Sequence, residues 1–254
     1  MEQVRARRFG VRAGVCLIGV SLAVLSSPTK ISAAAASPSP TPVPGVQTVI
    51  ELAETPELPG VVIFPARVNG PRPITVVLHG MCGEPIRTCR HFAEQVTGTA
   101  NLVCPRASQR CAGGGVSWPR ANLAQTVEAA VARAKSALPE PADEEHGRTL
   151  IGYSMGAYRA LDIAQSTPEK YPRLMLIGAN VSLDQKLLAK NGVLRVLLSA
   201  GSWDMMYDPM QRETERARSA GVRAHFLALG PVGHALSASF ASYLSGALSW
   251  LSET

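Results

Sequence analysis

A serine between two glycines is the first feature of this sequence that could do covalent chemistry. Gly152, Ser154 and Gly156 fit the pattern Gly-x-Ser-x-Gly. An apolar strand is predicted to lead into the pattern at Thr149–Gly152, and a helix to lead out of it at Met155–Gln165. The glycines allow a sharp turn that exposes the serine hydroxyl. The N-terminus of the following helix stabilises negative charge that develops beside the serine during a reaction. The pattern predicts that Ser154 is a nucleophile for an acyl group.

A serine hydroxyl is a weak nucleophile near neutral pH, so it needs a general base that is oriented by an acid. Asp204 lies in the turn after a predicted strand at Val193–Leu198. His234 ends a glycine-containing loop after the next predicted strand, Val222–Leu229. Open α/β sheets place their sites beyond the carboxyl ends of strands, and hydrolases of this kind have the order serine, acid, histidine. These positions predict His234 as the base and Asp204 as the acid.

Other aspartate and histidine residues compete for these two roles. Asp208 is four residues beyond Asp204 and directly precedes the proline at which the next helix is predicted to begin, which suits an N-cap. His225 lies inside a strand, where a packed or surface histidine is expected. His91 and His146 lie near a helix start and in an acidic linker. The acid is therefore assigned to Asp204 and the base to His234.

The end of the third predicted strand carries a loop with the sequence His79, Gly80, Met81. An acyl-transfer site needs backbone N–H groups to stabilise the oxyanion. One predicted donor is the N–H of Met155, which directly follows the nucleophile, and the second is the N–H of Met81. Gly80 would let this backbone approach closely, and His79 is predicted to brace the loop rather than to transfer protons.

The elements that must position these residues alternate between buried strands and amphipathic helices. The predicted strands are Thr48–Ala53, Gly60–Pro65, Ile74–Leu78, Asn101–Cys104, Thr149–Gly152, Leu174–Ile177, Val193–Leu198 and Val222–Leu229. The predicted helices are Arg90–Val96, Asn122–Leu138, Met155–Gln165, Pro209–Ser219 and Ala238–Leu251. Repeated strand–helix units predict a mostly parallel sheet of eight strands with helices on its faces.

The N-terminus has the three regions of a secretory signal peptide. A basic stretch ends at Arg12, an apolar run covers Ala13–Leu25, and small residues end at Ala36. The apolar run is too short to span a bilayer comfortably. Residues 1–36 are therefore predicted to be cleaved from a periplasmic or secreted protein that then has no stable membrane insertion. An uncleaved N-terminal anchor is the alternative.

Composition limits the remaining possibilities. Residues 37–47 are rich in proline and are predicted to be an extended linker, so the catalytic domain is assigned to 48–254. The chain is 46 % hydrophobic and 17 % charged, which suits one globular domain. Of the net charge of +6, the signal segment carries +4, and the remainder has 20 basic and 18 acidic residues with no basic run. Nucleic acid is therefore not expected to be a partner.

Four cysteines remain after signal removal, and an even number in an exported protein favours disulfides. They are Cys82, Cys89, Cys104 and Cys111. Three connectivities are possible. The local pairs Cys82–Cys89 and Cys104–Cys111 are preferred because each closes a short loop, and the first would stiffen the predicted oxyanion loop. Zinc binding is an alternative, but the spacing lacks the short paired motifs of zinc sites, and no metal is predicted.

The motifs around His79, Ser154, Asp204 and His234 together resemble the α/β-hydrolase superfamily over roughly residues 48–252. Within it, the chain resembles small exported esterases and relatives of dienelactone hydrolases and polyhydroxybutyrate depolymerases. The resemblance implies an α/β-hydrolase fold and a serine esterase that acts on a small-molecule or polymeric ester through an acyl-enzyme. It implies no metal and no organic cofactor.

Two features bear on access to the site. Only about a dozen residues, 179–191, separate the sixth and seventh predicted strands, so no lid domain and an open site are predicted. Trp118 and Trp203 are candidates either for pocket walls or for packing.

Two functions remain as alternatives to an esterase. A serine peptidase of the prolyl-oligopeptidase type shares the order of the triad, although such enzymes usually carry a gating domain for which this chain has no room. A catalytically silent envelope binding protein of the same fold would lack a triad member, and here all three are present.

Overall fold

One sheet organises the part of the chain that the computed structural model describes, residues 48–237 and 239–253. The strands are β1 (Ile50–Leu52), β2 (Val61–Phe64), β3 (Ile74–Leu78), β4 (Asn101–Pro105), β5 (Gln109–Arg110), β6 (Val116–Ser117), β7 (Thr149–Tyr153), β8 (Arg173–Ile177), β9 (Arg195–Ala200) and β10 (Ala224–Ala228). The predicted signal peptide and proline-rich linker lie outside the described residues.

The main sheet has eight strands in the order β1-β2-β4-β3-β7-β8-β9-β10. Strand β2 is antiparallel to both of its neighbours, and every other pairing is parallel. The predicted mostly parallel eight-stranded sheet is therefore confirmed. Strands β5 and β6 form a separate two-stranded hairpin that the sequence analysis did not predict.

Helices cover both faces of this sheet. They are α1 (Pro85–Val96), α2 (Leu123–Ala137), α3 (Met155–Ala164), α4 (Gln185–Lys190), α5 (Tyr207–Ser219) and α6 (Phe240–Ser252). Side chains of a strand alternate between faces, so Val76 packs in the core with α2, α3 and α5, whereas Val77 packs in the core with α1 and α6. Burial on both faces explains why all five residues of β3 are buried.

Helix α1 begins earlier than predicted. It starts at Pro85 rather than at Arg90, and proline suits the first turn of a helix because its missing N–H has no partner to lose there. This start places Cys89 on the buried face of the helix, where it packs against the sheet.

The four cysteines form two disulfides, but not the predicted local pairs. Cys82 is bonded to Cys111, with Cα atoms 5.7 Å apart, and Cys89 to Cys104, with Cα atoms 6.4 Å apart. The predicted pairs Cys82–Cys89 and Cys104–Cys111 are wrong because two of these cysteines face the core and two face outward. Cys89 and Cys104 are buried in one apolar core between α1 and β4. Cys82 lies in the exposed loop before α1 and meets the β5–β6 hairpin loop.

The segment between β8 and β9 contains only the short helix α4, so the described residues have no inserted lid at this position. Among the described residues, no helix has the length and hydropathy needed to cross a bilayer.

Candidate active site

The backbone at Ser154 forms a sharp turn between β7 and α3. Ser154 has φ 54° and ψ −120°, a conformation that a residue with a side chain adopts only when its surroundings impose it. Its N–H donates to the carbonyl of Ile177 at 2.8 Å, which ties the turn to the end of β8. A Cβ atom at Gly152 would collide with the backbone of α3, and one at Gly156 with the backbone of Leu78. Close packing therefore explains both glycines of the motif.

Three of the predicted site residues form one continuous hydrogen-bonded chain. His234 Nε2 lies 2.9 Å from Ser154 Oγ, and His234 Nδ1 lies 2.8 Å from Asp204 Oδ2. The side chain of Asp204 is 5 % exposed and that of His234 is 46 % exposed. A carboxylate only accepts, so Nδ1 carries the proton and Nε2 is free to accept from the serine hydroxyl. This arrangement can remove a proton from Ser154.

Asp204 also organises the turn that carries it. Its Oδ1 accepts a hydrogen bond from the Met206 N–H at 3.0 Å, and its carbonyl accepts from the Tyr207 N–H at 3.0 Å. The predicted N-cap role of Asp208 is wrong, because α5 begins at Tyr207 and Asp208 is an exposed residue of its first turn. The carboxylate that accepts a hydrogen bond at the start of this helix is that of Asp204, which bonds to the N–H of the N-cap residue Met206.

Tyr153, which directly precedes Ser154, contacts both the backbone and the ring of His234. Its hydroxyl donates to the backbone carbonyl of His234 at 3.0 Å, and the two rings are stacked with centroids 5.5 Å apart. Burial, and then the nearby charge of Asp204, raises the pKa of Tyr153, so its hydroxyl stays protonated and can donate. The sequence analysis missed this role, because Tyr153 is the variable second residue of the Gly-x-Ser-x-Gly pattern.

Gly178 makes room for the side chains of Asp204 and His234. It follows β8 with φ +63°, and a Cβ atom there would lie 3.0 Å from His234 Cε1 and 3.3 Å from Asp204 Oδ2. Its position directly after a strand is the one sequence signal that could have indicated it. A side chain at this position would displace the side chains of Asp204 and His234.

The loop after β3 approaches Ser154 closely. A Cβ atom at Gly80 would lie 3.3 Å from Ser154 Cβ, so the glycine lets the two backbones meet. The loop is fixed by a hydrogen bond from the Gly83 N–H to the Gly80 carbonyl and by the disulfide at Cys82, a residue with φ 53°. Met81 and Met155, the two predicted oxyanion donors, line one cleft with Ser154.

His79 is buried beneath this loop. Its Nδ1 lies 2.8 Å from the Gly80 carbonyl, and its Nε2 accepts from the Ala107 N–H at 3.4 Å. Its own carbonyl accepts from the indole N–H of Trp118 at 2.8 Å. Burial chiefly lowers the pKa of His79 to about 4, so the ring is neutral near pH 7. These contacts match the predicted bracing role, and they make Trp118 a packing residue.

A cleft of about 620 Å³ opens beside Ser154. It is lined by Met81, Arg120, Ser154, Met155, Tyr158, Arg159 and Asp162. Four of these residues, from Met155 to Asp162, occupy one face of α3, at spacings of three and four residues. The volume is in the range of small-molecule sites. Trp203, the other candidate for a pocket wall, is 72 % exposed and is not part of this lining.

One group of possible metal ligands lies on the surface at the opposite end of β7 from Ser154. Asp143, Glu145 and His146 bring their ligand atoms within 4.8 Å of one another. Asp143 already accepts a hydrogen bond from the backbone of Glu145 and lies 3.0 Å from His146 Nδ1. These contacts account for the group without an ion.

An α/β-hydrolase fold is defined by three features together: the order of the strands, the strained turn at Ser154, and the positions of Asp204 and His234 beyond strand ends. Solved structures support this assignment. FphF, a fluorophosphonate-binding serine hydrolase of Staphylococcus aureus, superposes with a TM-score of 0.62 at 13 % identity, over 83 % of this chain and 100 % of that chain. A ferulic acid esterase superposes with a TM-score of 0.62 at 16 % identity, over 81 % of this chain and 97 % of that one.

A third similar structure is esterase PE8, with a TM-score of 0.56 at 18 % identity, over 74 % of this chain and 97 % of that chain. No protein-family model and no curated protein sequence matches this chain. At these identities the structural likeness establishes the fold.

Proposed function

We propose that this chain is an exported serine hydrolase that cleaves a carboxylic ester through an acyl-enzyme on Ser154. The observation that carries the proposal is the chain of hydrogen bonds from Asp204 through His234 to Ser154. In such a chain, the histidine is the base for the serine hydroxyl. The carboxylate holds the imidazole in the orientation and tautomer that accept the serine proton. The strained backbone at Ser154 supports the same role, because strain of this kind gathers at functional residues.

In the proposed acylation, His234 Nε2 takes the hydroxyl proton while Ser154 Oγ bonds to the carbonyl carbon of the ester. The carbonyl π electrons move to the oxygen, which accepts hydrogen bonds from the N–H groups of Met155 and Met81. Asp204 remains ionised and stabilises the imidazolium. The bond from carbon to the alcohol oxygen then breaks, and the alcohol leaves with the proton from His234.

Deacylation repeats these steps with water as the nucleophile. His234 takes a proton from water as the water oxygen bonds to the acyl carbon. The bond to Ser154 Oγ then breaks, the serine recovers its proton from His234, and the carboxylic acid leaves. Met155 is the first residue of α3, so the dipole of this helix adds to the stabilisation of the oxyanion in both steps.

Export is the second part of the proposal. Residues 1–36 have the composition of a signal peptide, and the two disulfides suit an oxidising compartment. The similar structures include a serine hydrolase and two esterases, which supports ester hydrolysis as the general chemistry.

A panel of 4-nitrophenyl esters from acetate to octanoate, run beside 4-nitroanilides of the same acids, tests the activity. We expect turnover of the esters, and Ser154→Ala should lower kcat by about 10⁴-fold or more. Ser136→Ala, on an exposed position of α2, is the matched control and should keep full activity. Preferential cleavage of the anilides would support a peptidase, and no turnover of either series would overturn the proposal in favour of a binding protein.

A further inference from the structure

The cleft beside Ser154 has more cationic than anionic groups in its lining. Arg120, Arg159 and Asp162 are the charged residues among its described lining, so the walls carry a net positive charge. Neutral ester substrates give no reason for arginines in such a position. A lining of this kind favours a substrate that brings a negative charge of its own.

Among the residues that the structure describes, Arg120 has no partner that neutralises its charge. Its side chain is exposed, and it makes no hydrogen bond or ion pair with any residue in 48–237 or 239–253. A guanidinium has five N–H donors in a planar fork that matches the two oxygens of a carboxylate. Arg120 is therefore free to bind an anionic group that enters the cleft.

Two further groups leave hydrogen-bonding capacity on the α3 side. Arg159 Nη1 bonds to Asp162 Oδ2 at 3.1 Å, and the Nε of Arg159 is buried, so the remaining capacity of its guanidinium is at Nη2, which has no acceptor among the described residues. The hydroxyl oxygen of Tyr158 accepts from the Asn180 N–H at 3.1 Å, which leaves the hydroxyl proton available to an acceptor. Asp162 carries the only carboxylate among the described lining residues, and this carboxylate cannot satisfy all of these donors.

We propose that the cleft selects esters that carry a carboxylate in addition to the scissile bond, with Arg120 as the residue that binds this carboxylate. This inference rests on the serine hydrolase function proposed above. Since Arg120 and Ser154 line the same cleft of about 620 Å³, one small molecule can reach both. A charge-assisted contact of this kind contributes to ground-state binding, so it should appear mainly in KM.

Two substrates that carry the same scissile 4-nitrophenyl ester, one with a free carboxylate and one with that carboxylate methylated, test the proposal. They are 4-nitrophenyl hydrogen glutarate and its neutral methyl ester, methyl 4-nitrophenyl glutarate, and the measured quantity is the ratio of their kcat/KM values. The rate with Ser154→Ala is subtracted to remove the intramolecular reaction of the free acid. We expect a ratio above one for the wild type, about tenfold lower in Arg120→Gln, and lower again in Arg120→Glu.

Arg90→Gln is the matched control, because Arg90 is exposed on α1 and makes no ion pair among the described residues, yet is not part of the cleft. Its ratio should equal that of the wild type. Turnover of both esters with a ratio of one or less, or a ratio that Arg120→Gln leaves unchanged, would overturn the specificity alone. No turnover of either ester above the Ser154→Ala rate would instead overturn the hydrolase function on which it rests.

Discussion

Tyr153 and His234 are 81 residues apart in the chain and are joined by a hydrogen bond of 3.0 Å from the tyrosine hydroxyl to the histidine carbonyl. Their rings are also stacked. Since Tyr153 directly precedes Ser154, this contact fixes the distance between the loop that carries the proposed base and the turn that carries the proposed nucleophile. Tyr153 is a positioning residue in this account.

Removal of this hydroxyl should slow turnover without weakening substrate binding. A hydrogen bond contributes about 0.5–1.5 kcal/mol, so we expect Tyr153→Phe to lower kcat by up to about tenfold at nearly constant KM. Tyr207→Phe is the control, because that hydroxyl makes no hydrogen bond in the described part of the chain. If the Tyr153→Phe variant has a changed thermal stability but the kcat of the wild type, the contact is purely structural.

The two neighbouring aspartates should respond very differently to the same substitution. Asp204→Asn should lower kcat by about 10⁴-fold, because an amide that donates to His234 favours the wrong tautomer. Asp208→Asn should leave kcat within about twofold, since Asp208 is exposed and makes no contact with His234. The reverse pattern in steady-state kinetics would assign the acid to Asp208.

Loss of one disulfide should lower both activity and stability, whereas loss of the other should lower stability alone. Each closes a loop of 15 or 29 residues, so its loss should lower the free energy of unfolding by roughly 3 kcal/mol. The Cys82→Ser/Cys111→Ser pair should in addition lower kcat, because Cys82 directly follows Met81. The Cys89→Ser/Cys104→Ser pair should leave kcat of the folded protein unchanged. Equal kcat values for the two variants, measured where both are folded, would contradict the role of the Cys82–Cys111 bond in fixing the loop.

The buried ring of His79 should make stability depend on pH. Its pKa falls from 6.5 to about 4 on folding, so the unfolded chain binds the additional proton first as pH falls. The contribution is fully present above pH 6.5 and is lost as pH drops towards 4, at a cost of up to about 3 kcal/mol. Urea unfolding at pH 7.5 and 4.5 should show a smaller pH effect in His79→Asn than in the wild type. An NMR titration of His79 with a midpoint near 6.5 would disprove this.

The sheet and the serine turn could be predicted from the sequence because their signals are local. The strand β7, Ser154 and the helix α3 are contiguous, and the period of the apolar residues identifies both elements. The proximity of His234 and Asp204 to Ser154 could be predicted because parallel strands bring their carboxyl ends to one edge of the sheet. Order along the chain then decides which residue is the acid.

The features that escaped prediction depend on contacts between distant segments. The disulfide pairing is set by which face of α1 meets β4, and a rule based on short loops cannot contain that information. The hairpin of β5 and β6 has two residues in each strand, too few for an alternating pattern. Arg120 becomes a neighbour of Ser154 only once the loop before α2 lies beside α3.

The central claim is that Ser154 is the activated nucleophile, and labelling by a fluorophosphonate probe tests it most directly. Phosphonylation requires an activated serine hydroxyl but no particular acyl or alcohol group, so it is independent of substrate specificity. Peptide mapping of the wild type should find one adduct, on Ser154, which is absent in Ser154→Ala and forms far more slowly in Asp204→Asn. A wild-type protein that stays unlabelled, or an adduct on another serine, would contradict the account.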